Sequence, residues 1–276
     1  MRWKDLRESM SARSTFFGPA LLPKMLRYRW LIYELVLRDL RLRYRGSVLG
    51  FTWTLLNPLL FTAVYVLIFG VFLNVGLKNY ALYLLCGLLP WNWLAGAAQQ
   101  GTTAIVDGRN YVGKTIFPTE ALVVVPMLSN GVNFLFSLPL LGLVVLLYHV
   151  HVGWDALPFL CFALLVQAVN TLAVLFLLAT LNVFYRDFQQ LVVYLLLLLF
   201  YLAPIVYPPD RIPSPLHDIL LANPFAIVIG TYQDLFYRAH APDVAALAFA
   251  LACGVVGLGI AYAIFERNKE SMGEFL

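Results

Sequence analysis

Hydrophobic positions along this chain come in six long, nearly unbroken runs, separated by short polar segments. The runs cover Phe51 to about Leu73, Tyr80 to Gln100, Thr119 to Tyr148, Leu157 to Leu181, Leu191 to Tyr207, and Val244 to Phe265. None carries Asp, Glu, Lys or Arg in its middle, and Glu120 stands at the edge of the third. A helix rises about 1.5 Å per residue, so about 20 apolar residues cross a bilayer. Inside hydrocarbon each backbone N–H and C=O must be bonded within its own segment, which makes helices the expected form. The pattern predicts an all-α integral membrane protein with six transmembrane helices.

Residues 24–46 follow a different rhythm. Trp30, Tyr33, Leu37, Leu40 and Tyr44 recur at spacings of three and four, while Glu34, Arg38, Arg41 and Arg45 repeat on another side. That periodicity predicts an amphipathic helix lying in the membrane interface, with Pro23 at its start and its arginines at headgroup level. Two roles fit, a plain anchor or a platform for a cytoplasmic partner or an anionic lipid. Gly46 to Gly50 predicts a flexible joint into the first span.

Between the fifth and sixth runs, residues 208–243 are rich in proline and broken into short apolar pieces. Pieces too short to cross suggest re-entrant half-helices before the last span, or a proline-stiffened external loop. The domain plan is then a tail at 1–23, an interface helix at 24–46, a six-span domain at 51–265 and a tail at 266–276.

Composition sharpens this picture. Of 276 residues, 61% are hydrophobic and 12% charged, with a mean hydropathy of +0.79. A soluble domain of this size could not hide so much apolar surface, which excludes an ordinary cytosolic enzyme and a disordered chain. Sixteen of the nineteen Lys and Arg fall on one side of the six-span layout. The positive-inside rule therefore places both termini in the cytoplasm, and the net charge of +4 reports those basic segments, not nucleic-acid binding. No cleaved signal peptide is expected. Cys86, Cys161 and Cys253 lie in apolar runs without a ligand-like neighbourhood, so they read as small packing residues and predict no metal site. Spans without intramembrane charge also point away from proton- or ion-coupled transport.

Candidate chemistry is sparse. Residues 108–115 fit the phosphate-loop pattern GxxxxGK(S/T), with Gly108, Gly113, Lys114 and Thr115. That chemistry requires a strand, a glycine turn and a helix N-terminus, whereas Pro118 interrupts any such helix here. An ordinary cytoplasmic loop is the expected reading. Phe61, Tyr65 and Phe69 share a face of the first span, and Tyr194 and Tyr201 a face of the fifth. Aromatic faces of this kind pack helices, contact lipid or stack on sugar rings. Ala250, Gly254, Gly257 and Ala261 form a small-residue seam on the sixth.

Taken in order, several stretches resemble one family. Arg38 to Gly50 leads into Trp53, Asn57 and Pro58. Asn110 to Pro118 contains Lys114 and Phe117. Asn182, Arg186 and Asp187 open the fifth span, which closes on Pro204 and Pro208, and Asn223 with Pro224 follows. The chain resembles the permease subunit of polysaccharide-export ABC transporters, the type-2 permease family whose members move O-antigen, teichoic acid or related lipid-linked glycans. The resemblance implies a pair of permeases working with two copies of a separate ATP-binding subunit that holds ATP and magnesium, and no cofactor in this chain. It implies that the 106–118 loop, with Arg109, Asn110, Lys114, Phe117 and Pro118, docks on that subunit, and that Arg186 and Asp187 make a second contact. It also implies an export channel lined by the first and fifth spans, where Phe61, Tyr65, Phe69, Tyr194 and Tyr201 meet glycan. Arg38, Arg41 and Arg45 would receive the lipid pyrophosphate from the cytoplasmic leaflet. The implied location is the cytoplasmic membrane. A type-2 permease for another cargo and an intramembrane transferase are the competing readings.

Overall fold

The computed structural model describes residues 21–111, 117–213 and 222–275, and among these every regular element is helical. In chain order they are α1 (Leu21–Arg27), α2 (Arg29–Tyr44), α3 (Gly50–Phe72), α4 (Tyr80–Asp107), α5 (Thr119–Leu147), α6 (Ala156–Phe184), α7 (Phe188–Leu202), α8 (Pro224–Gln233) and α9 (Val244–Phe275). Five of them, α3, α4, α5, α6 and α9, are long and apolar enough to cross a bilayer.

The fifth apolar run differs. Its helix, α7, has 15 residues, about 22 Å at helical rise, and stops at Leu202 instead of reaching Tyr207. Pro204 is the cause, because a residue before proline is pushed out of helical conformation, and Ala203 is extended with ψ 147°. The irregular backbone that follows is buried and bonded by neighbours. Tyr83 Oη donates to the carbonyls of Pro204 and Tyr207, and Gln233 Nε2 donates to Pro204. Non-helical backbone is tolerated at such depth only when protein satisfies it in this way.

α4 is the hub. Its most apolar stretch is 78% buried, against 11% for α3. α4 packs on α5 and α6, and α6 packs on α9. The small-residue seam is the contact that holds α6 to α9. Ala250 and Ala261 are buried, and a Cβ at Gly254 would lie 2.7 Å from Asn170 Nδ2, which donates to the Ala250 carbonyl at 3.0 Å. α8 begins with Asn223, whose side chain accepts from the Phe225 N–H, followed by Pro224 at the first helical position. It continues as a wide π turn through Arg238, too short to cross, and buries Tyr232 and Gln233.

The N-terminal helix departs from the single stretch expected at 24–46. Among the described residues it runs from Leu21, breaks at Tyr28 and ends at Tyr44. Its protein-facing side carries Ile32 and Val36, one turn apart, and of the predicted stripe only the later part turns inward, with Leu40 against the core and Tyr44 donating to Asn133. Trp30 and Tyr33 face outward, 70% and 53% exposed. Periodicity marked an apolar side, but packing on α5 chose which side turns inward. Between α2 and α3 the backbone turns at Gly46, φ 78°, and Gly50, φ 49°, a conformation glycine adopts without strain. Residues 266–275, expected as a tail, continue α9. Of the cysteines, Cys86 is buried, Cys161 is exposed and Cys253 half-buried.

Candidate functional site

One end of the bundle gathers α1, α2, the turn after α4, the start of α5, the 185–187 turn and the far end of α9. A buried carboxylate ties α1, α5 and α9. Glu120 Oε1, at the second residue of α5, accepts from Lys24 Nζ at 2.9 Å and from Lys269 Nζ at 2.9 Å. Lys24 also donates to Glu266 at 2.6 Å and to the Tyr262 hydroxyl at 3.1 Å. Burial opposes the charge on Lys24, but Glu266, Glu120 and Tyr262 outweigh it and hold its pKa above the ordinary lysine range. Phe184 against Phe275, ring centres 5.1 Å apart, brings the 185–187 turn to the same end.

The residues expected to dock on a partner subunit sit on this end. Arg109 and Asn110 are exposed in the turn after α4, and Arg186 and Asp187 are exposed between α6 and α7. Phe117 stacks on Tyr111, ring centres 5.1 Å apart, and Pro118 immediately precedes α5. Lys114 lies outside the described residues. Among the arginines expected at headgroup level, Arg38 donates to the Tyr111 hydroxyl at 2.7 Å, latching α2 to the turn, while Arg41 and Arg45 are exposed.

The aromatic faces are only partly shared. Phe61 is 56% exposed, but Tyr65 and Phe69 are half-buried. Tyr65 and Phe69 stay together, ring centres 6.0 Å apart, although the helix widens into π form over Val66–Phe72. Tyr65 meets Phe200 of α7, ring centres 5.5 Å apart, and Phe200 also meets Trp91. The first and fifth apolar segments therefore join through Phe200, while Tyr194 and Tyr201 are exposed.

The sequence did not single out Arg43. Its guanidinium donates to Asn130 Oδ1 at 3.1 Å, Gln100 Oε1 at 2.9 Å and Asp39 Oδ2 at 3.3 Å. Asn130 in turn donates to Gln100 and to the Pro126 carbonyl. This clasp pins α2 across α4 and α5 and forms one wall of a cavity of about 610 Å³. Residue spacing gives no hint of it, since Arg43 stands among Arg38, Arg41 and Arg45 and only its distant partners single it out. Among the described residues no His, Cys, Asp and Glu cluster could hold a metal.

Residues 31–237 match the ABC-2 type transporter family. The chain is 38% identical over 256 residues to the O-antigen export system permease protein RfbA of Myxococcus xanthus, covering 92% of this chain and 98% of that one. It is 29% identical over 242 residues to the protein of the same name from Klebsiella pneumoniae, covering 87% and 92%. It is 21% identical over 254 residues to the polysialic acid transport protein KpsM of Escherichia coli, covering 87% and 94%. With an apolar helical body, a tied polar end and a family match along most of its length, the chain belongs to the ABC-2 type transporter family.

Proposed function

We propose that this chain is the transmembrane subunit of an ATP-driven exporter that moves a lipid-linked polysaccharide across the cytoplasmic membrane. The observation that carries this reading is 38% identity to an O-antigen export permease over nearly the whole of both chains. In this reading α7 and the bonded segment after it make the remaining crossing, giving six, and α8 is re-entrant. Both termini lie in the cytoplasm. Two copies of the chain work with two ATP-binding subunits, which hold ATP and magnesium. The end carrying Arg109, Asn110, Arg186 and Asp187 faces those subunits, and the exposed aromatics Phe61, Tyr194 and Tyr201 face the glycan path.

Deleting the gene in its host tests the reading. The expected result is loss of surface glycan while lipid-linked glycan accumulates inside, restored by the wild-type gene. Normal surface glycan in the deletion strain, or ATP hydrolysis by the purified chain without a partner, would refute it.

A further inference from the structure

The cavity beside Arg43 lies between α2, α3, α4 and α5, within a single copy of the chain. Its lining is dominated by uncharged amides and aromatic rings, including Asn57, Asn92, Gln99, Asn133, Trp53 and Phe61. Asn57, Asn92 and Gln99 make no side-chain hydrogen bond to any described residue. Asn133 uses only its oxygen, which accepts from the Tyr44 hydroxyl at 3.1 Å. Asn57, Asn92 and Gln99 are also exposed.

Depth makes this informative. Asn92 stands twelve residues into α4, on the order of 18 Å along the helix axis, so it is far from either end of an apolar span. An amide facing lipid tails with no partner is costly, and polar groups at such depth face protein, water or cargo. This face therefore looks onto something that supplies hydrogen bonds. Charge decides what. Arg43 is the cationic wall, but it is committed to Asn130, Gln100 and Asp39, and Asp39 compensates its charge. A phosphate would find no free guanidinium here. A neutral polyhydroxyl ring would find amides with open donors and acceptors, and aromatic surfaces for its flat CH faces. The volume, about 610 Å³, falls within the range of small-ligand pockets.

We propose that this cavity is a sugar-binding subsite, in which Asn57, Asn92, Gln99 and Asn133 hydrogen-bond glycan hydroxyls while Trp53 and Phe61 meet the ring faces. The Arg43 clasp is its rigid wall, pinning α2 against α4 and α5, and Tyr44 beside it fixes Asn133. The proposal rests on the polysaccharide-export reading and adds where, inside each copy, sugar is held.

The test uses the full permease with its ATP-binding subunit in lipid nanodiscs. The probes are the host's own lipid-linked glycan and the same lipid stripped of sugar by mild acid. Binding is read by titration. Asn57→Ala and Asn133→Ala should each raise the Kd for the glycan-bearing lipid about three- to tenfold, the loss of one or two neutral hydrogen bonds. The Kd for the stripped lipid should not move. Asn92→Leu, which removes no bond within the protein and suits an apolar span, should show the same selective loss and guards against misfolding. Each variant is first checked for co-elution with the partner subunit. Wild-type affinities in all three variants would overturn the subsite, as would equal losses for both lipids. If the wild-type complex fails to bind the glycan-bearing lipid better than the stripped one, and its host strain exports normally without it, the export reading itself falls.

Discussion

Glu120 makes the sharpest prediction about how the polar end holds together. It is 2% exposed, its Oε1 accepts from two lysines at 2.9 Å, and among the described residues it is the carboxylate that pairs with Lys269. Glu120→Gln keeps the shape and an acceptor but removes the charge. A hydrogen bond to a charged group contributes roughly 1.5–3 kcal/mol and a neutral one roughly 0.5–1.5, so two such bonds lose about 2 kcal/mol. Lys24 and Lys269 are about a third exposed, 36% and 31%, and water screening reduces that to about 1–2 kcal/mol. Lys24 also retains Glu266. The loss should appear as local opening of α1 and of the last two turns of α9, with the open population rising on the order of tenfold. Hydrogen exchange of the complex reads it directly, comparing backbone amides at 21–36 and 266–275 with those of α4. Exchange rates within about threefold of wild type at both segments would contradict the tie, being smaller than the opening expected here. A rise throughout α4 would mean that the whole bundle loosened, which would equally contradict a local clasp.

Other expectations follow from the same geometry. A Cβ at Gly96 would lie 2.6 Å from Asn130 Oδ1, so Gly96→Ala should displace Asn130 from Arg43 and speed exchange in α2; unchanged exchange would mean that the clasp can shift without cost. Phe61→Ala and Tyr194→Ala, both at exposed positions, should lower glycan export with little change in thermal stability, and wild-type flux would return these rings to lipid contact. Tyr65→Ala should instead destabilise by about 2–4 kcal/mol, because that ring packs on Phe200, and a melting temperature like wild type would argue against this packing. Arg186→Glu should uncouple partner ATP hydrolysis from export while the protein stays folded, and normal export would count against a docking role for the 185–187 turn.

Several features were legible residue by residue. The apolar runs located α3, α4, α5, α6 and α9 to within a few residues at most ends, although α4 runs on to Asp107 and α9 extends through the expected tail. Pro118 marked a real boundary, whereas the fifth run was carried through Pro204 to Tyr207 although proline's constraint on its neighbour stops α7 at Leu202. The seam at Ala250, Gly254 and Ala261 was also readable, because small residues at helical spacing permit close approach whatever the partner. The aromatic stripe was less so. Spacing tells which rings share a side but not what covers each one, and Phe61 stays exposed while Tyr65 and Phe69 lie against protein.

By itself, then, the sequence determined the solvent this protein is built for, the helices it forms and the family it resembles. These follow from hydrophobicity and local backbone preference, which act over a turn or two. Only the tertiary structure decided which arginine matters, which face of α2 turns inward and what Glu120 joins. Arg43 meets Asn130 across 87 residues and Lys269 meets Glu120 across 149. A buried charge is stable only where distant segments bring its partners together. No local pattern carries that information, because each partner is an ordinary residue until the helices pack.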